Sequence, residues 1–182
     1  MSRGLDHLVV AARTLDEGAA WVRERLGAEC VPGGKHATMG THNRLLSLGP
    51  ESYLEVIAID PEAPRPGRAR WFELDTPAMQ ARIAKQPALV HWMERTANLE
   101  AELRDYAADV RIESFERNAL RWRLALTPDG SFPAGGTLPT LIQWEGAHPC
   151  DSLPDSGILL KSLAKYPLTA RFSTPLGVRT MP

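Results

Sequence analysis

The chain is short of cysteine, of net charge and of long apolar runs. Cys30 and Cys150 are the two cysteines of 182 residues. They lie far apart, form no metal-type spacing and point to a reducing, cytoplasmic setting. Lys and Arg number 21 against 22 Asp and Glu, a formal net charge of -1. That balance leaves no electrostatic footprint for nucleic acid or an anionic membrane surface. No apolar run approaches bilayer-spanning length, and the N-terminus does not read as a signal peptide. The expected partner is therefore a small molecule, with a homodimer left open.

What is present is ordinary for a globular protein: 43% hydrophobic and 24% charged residues. That is enough chain for one large domain or two small fused modules. Several of the 15 prolines cluster at 61–66 and in the last third, marking loops.

The organising stretch is Gly4–Ala12, GLDHLVVAA. Strand alternation puts His7 on one face with Leu5, Val9 and Ala11, and Asp6 on the other. A titratable group on an apolar strand face needs a partner, since burying it unpaired costs about 1–3 kcal/mol. Thr14 then caps a helix over 15–26 with Glu17 as capping-box partner, and Gly27 closes it. Pro32-Gly33-Gly34 reads as a flexible turn. KHATMGTHN, 35–43, carries His36, His42 and Asn43. It is either a polar loop feeding a strand at Arg44–Leu48 or a rim presenting His42 and Asn43 to a pocket. Tyr53–Asp60, YLEVIAID, is a second strong strand with Glu55 on the face of Tyr53, Ile57 and Ile59.

A Pro/Arg-rich connector and a short helix starting at Thr76-Pro77 fill 61–87, and then the pattern restarts. Ala88–Thr96 is a strand with His91, Asn98 caps a helix, Val110–Glu116 and Leu120–Leu126 form a hairpin, and Leu138–Trp144 closes the set. His7 and Leu15 are repeated at His91 and Leu99, a shift of 84. The reading is an α+β fold of paired βαβββ modules, about 4–60 and 88–150, in one domain spanning 1–182. Two apolar segments in 151–182, Gly157–Ala164 and Thr169–Val178, read as a hairpin added to a sheet edge or as a tail.

In each module a histidine lies on the first strand and an oxygen-bearing side chain on the last. If the modules pair about a pseudo-twofold, His7, Glu55, His91 and Gln143 converge. Two imidazoles with one or two oxygens suit a divalent metal: Zn, Mn, Fe, Ni or Co. Glu145 is an alternative oxygen donor, and His36 and His42 are spare imidazoles. The plainer reading is a His7–Glu55 pair without metal.

LDHLVVAA, WVRERLG, PGGKHATMGTHNRLLSLG and YLEVIAIDP resemble the glyoxalase-like domain family of the vicinal oxygen chelate superfamily. HWMERTANLEAEL, LRWRLALTPDG and LPTLIQWEGAHP are similar to its second module. The resemblance implies curled mixed sheets around a cavity. It also implies metal ligands at the first and last strands of each module, which His7 and Glu55 match well, His91 by position, and Gln143 in place of the usual glutamate.

Two functions follow as expectations. The first is a metal-dependent enzyme of lyase, isomerase or dioxygenase type acting on a small oxygenated substrate, with Glu55 moving a proton. The second is a metal-free protein that binds or sequesters a small molecule, as bleomycin-resistance members of the superfamily do. His42, Asn43, Tyr53 and Trp92 are the expected pocket residues, with Trp122 and Trp144 as further lining.

Overall fold

The computed structural model describes residues 3–182. Among these, eleven strands and three α-helices follow in order: β1 (Gly4–Ala11), α1 (Leu15–Leu26), β2 (Val31–His36), β3 (Thr41–Ser47), β4 (Tyr53–Ile59), α2 (Pro77–Lys85), β5 (Ala88–Arg95), α3 (Leu99–Glu102), β6 (Arg111–Arg117), β7 (Leu120–Leu126), β8 (Thr140–Trp144), β9 (Leu159–Lys165), β10 (Leu168–Thr174) and β11 (Gly177–Met181). The first eight strands form one curled mixed sheet in the order β2-β3-β4-β1-β5-β8-β7-β6. The order is symmetric about its centre. In each half the first strand pairs parallel with the fourth, β1 with β4 and β5 with β8, and the two first strands pair antiparallel with each other.

Helix α1 forms where its caps direct. The Thr14 hydroxyl accepts from the Glu17 amide, and Gly27 takes the left-handed conformation that ends the helix. Glu17's carboxylate pairs with Arg13 rather than closing a capping box. In α2, Thr76 caps and Pro77 opens the helix as expected. The second module's helix is much reduced, to four residues behind the Asn98 cap.

Alternation along β1 splits the interior in two. Leu8, Val10 and Ala12 face a core built with Trp21, Val22 and Leu26 of α1. The same core takes Ile158, Ala170, Phe172 and Met181 from the C-terminal region. Val9 and Ala11 face the other way, toward Met39, Trp71, Phe72, Met93, Trp122 and Leu124. The segment after residue 151 is neither a tail nor an extension of the main sheet. Strands β9–β11 form a separate antiparallel sheet in the order β11-β10-β9 that covers the α1 side of the large one. The interior face of the large sheet is thereby left to line a cavity.

Pro32-Gly33-Gly34, expected as a turn, lies inside edge strand β2. The glycines serve close approach. A Cβ on Gly33 would sit 2.1 Å from Asn43 Oδ1, and one on Gly34 would sit 2.6 Å from Arg117 Cδ.

Candidate functional site

His7 and Glu55 come together on the cavity face because β1 and β4 are parallel neighbours. In their register His7 sits beside Tyr53 and Val9 beside Glu55. The His7 and Tyr53 rings stack with centroids 4.5 Å apart, and His7 Nε2 lies 3.6 Å from Glu55 Oε2. Glu55 Oε1 accepts a 2.6 Å hydrogen bond from the Asn43 amide on β3. Asn43 Oδ1 in turn accepts from the Gly34 backbone and from Arg117 Nη1, at 2.9 and 3.0 Å.

The other side of His7 is held by a residue that alternation turned away. Asp6 is fully buried, and its Oδ1 is 2.6 Å from His7 Nδ1. The pairing of β1 with β5 shifts register between Leu5 and His7, which accompanies the return of Asp6 toward its neighbour. Asp6 Oδ2 accepts from Trp144 Nε1 at 2.9 Å and lies 3.1 Å from His148 Nε2. No periodicity in the sequence marks this role. The only cue is the charged pair Asp6-His7 inside an apolar strand.

The electrostatics follow from this packing. Burial pulls the His7 pKa down, but its hydrogen bonds to Asp6 and Glu55 outweigh burial and raise it to about 9. Burial raises Glu55, and the bonds and charge of His7 then bring it down to about 2. Burial, as the leading cause, lowers His36 and His91, to about 4 and about 3. At neutral pH the site holds an imidazolium between two carboxylates, with two neutral imidazoles further off.

A small pocket opens above the pair. His7, Glu55, Asn43 and Tyr53 form its polar floor, and Trp71, Phe72, Trp122 and Trp144 its walls. His36 lies across it, edge-on to Trp71 at 5.0 Å and hydrogen-bonded to Thr41.

The other expected residues lie elsewhere. His91 shares the cavity side of β5, but its Nε2 accepts from the Thr140 backbone at 3.0 Å and its ring is packed against Phe72, Trp92 and Phe132. Gln143 accepts from the Leu99 amide and from Arg123, serving the α3 cap region. The shift of 84 carries Val9 to Met93, and Met93 pairs with Thr140 as Val9 pairs with Glu55. Thr140 is therefore Glu55's counterpart, three residues before Gln143. Trp92 belongs to the opposite core, and His42 is half-buried and does not line the pocket.

This arrangement bears on the metal. A catalytic zinc centre takes three protein donors and leaves one position open. Of His7, Glu55, His91 and Gln143, only His7 and Glu55 meet, and among the described residues no group of three or more His, Cys, Asp or Glu is placed to hold an ion. The other imidazole lining the pocket, His36, has Nε2 3.1 Å from the Arg117 guanidinium, a cation that opposes a second one. The four-donor set does not fit a resident metal here.

A family model described as a glyoxalase-like domain matches residues 5–170. No curated protein matches. Among solved structures, methylmalonyl-CoA epimerase from Mycobacterium tuberculosis is similar at 20% identity and a TM-score of 0.50, covering 79% of this chain and 88% of that one. A hypothetical protein from Staphylococcus aureus is similar at 16% identity and a TM-score of 0.57, covering 89% and 69%. A single-substitution variant of Streptomyces coelicolor methylmalonyl-CoA epimerase, in complex with 2-nitronate-propionyl-CoA, is similar at 18% identity and a TM-score of 0.50, covering 80% and 96%. At these identities the likeness is one of fold. With the family match over nearly the whole length, the chain belongs to the glyoxalase-like domain family, on the fold of the vicinal oxygen chelate superfamily.

Proposed function

We propose that this protein binds a small planar organic molecule in the aromatic-walled pocket and shifts a proton on it with His7 and Glu55. The observation that carries the reading is the 3.6 Å pairing of His7 Nε2 with Glu55 on the floor of an otherwise aromatic pocket. A buried charged pair is a costly way to finish a core and a common way to build a reactive site.

The division of labour follows from the protonation states. His7, charged and held by Asp6 through Nδ1, lines the pocket with its Nε2–H beside Glu55 and can donate to a carbonyl oxygen on the ligand. That bond strengthens as the oxygen gains negative charge. It also draws the His7 proton away from Glu55, so that the carboxylate becomes more basic when ligand is bound and can accept a proton from the carbon beside the carbonyl. A proton shift next to a carbonyl is the reaction these two groups can perform by themselves. It is of the isomerase type.

Phenylpyruvate in D2O tests this, since it has a planar body and an exchangeable CH2 beside a ketone. We expect the protein to bind it and to accelerate deuterium incorporation at that carbon, seen by NMR. His7→Gln and Glu55→Gln should abolish the acceleration. Binding with no acceleration in the wild type would leave the sequestration reading, in which the same aromatic walls only hold a ligand. A second reading keeps only the two residues that meet, His7 and Glu55, as protein donors to a divalent ion; the Asp6 bond to His7, the usual support of a metal-bound imidazole, favours it. Metal analysis of untagged protein separates it: one tightly held divalent ion per chain would favour it.

A further inference from the structure

Among the described residues, Arg117 is the cation of the pocket that faces no carboxylate. It arrives from β6, the outer edge of the second module, and crosses to the first. Its guanidinium bonds Asn43 Oδ1 at 3.0 Å and His36 Nε2 at 3.1 Å, both neutral acceptors, and stands 5.9 Å from the Trp122 ring centroid. Gly34 leaves the space its stem needs. The neighbouring arginines are neutralised: Arg68 by Glu113 and Arg70 by Asp75. Among the described residues no carboxylate lies within 4.0 Å of the Arg117 guanidinium. Glu55, the carboxylate of the pocket, is kept apart from it by Asn43, which donates to Glu55 and accepts from Arg117.

The pocket thus carries a guanidinium fork beside the His7–Glu55 pair, the two joined by Asn43, with tryptophans in its lining. A guanidinium bound only to neutral acceptors has its strongest available partner still to come, since charge-assisted bonds to a carboxylate are about twice as strong as neutral ones. We propose that Arg117 is the anion-recognising group of this pocket and that the ligand is an organic carboxylate, its planar body between the tryptophans and its carboxylate on the guanidinium. This rests on the ligand-pocket reading above and adds the chemical class.

Benzoate and benzamide, nearly equal in shape and different in charge, separate the two claims. Binding of each is followed by quenching of tryptophan fluorescence, with calorimetry as a check. The wild type should bind benzoate about tenfold more tightly than benzamide, the scale of one added charge-assisted bond. Arg117→Met should remove that preference by weakening benzoate alone, and Arg117→Lys, which keeps the charge, should retain part of it. Equal binding of the two probes by the wild type, or a preference that survives in Arg117→Met, would overturn the role of Arg117 and leave the pocket reading standing. Failure of both probes to bind would overturn the pocket reading and this inference with it.

Discussion

Five histidines in one chain meet five different environments, and their neighbours decide what each can do. His7 gains two carboxylates and holds its proton. His36, between the Thr41 hydroxyl and the Arg117 guanidinium, and His91, against Thr140, are buried without a carboxylate partner and lose theirs. His42 is half-buried, and His148 approaches Asp6 from the loop after β8. The sign of the pH response follows. His36 and His91 have folded pKa values, about 4 and about 3, below the ordinary 6.5, so the stability they lend is whole above pH 6.5. It is lost as pH falls from there toward those values. Denaturant midpoints measured between pH 7 and pH 4 should therefore decline, and His91→Gln should flatten the decline. A midpoint unchanged over that range would mean that these histidines are not buried neutral.

At the scale of elements, β1 is the most informative stretch, and much of it was readable beforehand. Its alternation placed His7 toward the cavity, and the same reasoning on YLEVIAID placed Glu55 there. What alternation missed was Asp6, because a local register shift overrides a period of two. Gln143 was misplaced because the match between the closing strands was set by composition, whereas their pairing makes Thr140 the equivalent position. The role of Gly33 and Gly34 was hidden too, since only the packed structure shows whose atoms need their space. A prediction follows from Gly33. Its alanine variant would press a methyl onto Asn43 Oδ1, moving the amide that joins Glu55 to Arg117. We expect Gly33→Ala to weaken ligand binding several-fold, by fluorescence titration, while Thr14→Ala at the α1 cap costs about 1 kcal/mol in stability and leaves binding alone.

For the whole molecule, the repeat at a shift of 84 accounts for the architecture: two half-sheets joined along β1 and β5. Cutting the chain between them would strand the central edge of each half with its buried apolar residues, Leu8 and Val10 on one side and Leu89 and Trp92 on the other. Fragments 1–70 and 87–182 expressed separately should be insoluble or unfolded by circular dichroism, and two cooperative melts would contradict this. The C-terminal sheet was the least legible part, because its segments are short and their alternation serves a face that only α1 defines. Its contribution is apolar cover. Phe172 is fully buried in the core shared with α1, so Phe172→Ala should cost about 3–5 kcal/mol by chemical denaturation. The site on the opposite face should keep its ligand preference in whatever fraction remains folded.

The central claim is that His7 and Glu55 form a charged pair poised for proton transfer. The raised pKa of His7 stabilises the fold fully below the ordinary histidine pKa of 6.5, and that gain is lost as pH rises through the folded value of about 9; the lowered pKa of Glu55 adds stability that is lost only as pH falls toward about 2. The direct measurement is a nitrogen-15 NMR titration of the His7 ring between about pH 5 and 10, with and without chelator, in the wild type and in Glu55→Gln. The predicted result is a ring protonated on both nitrogens at pH 7, a midpoint near 9 that chelator does not move, and a lower midpoint in the variant. A His7 ring neutral at pH 7, or one whose signals change when chelator is added, would contradict it.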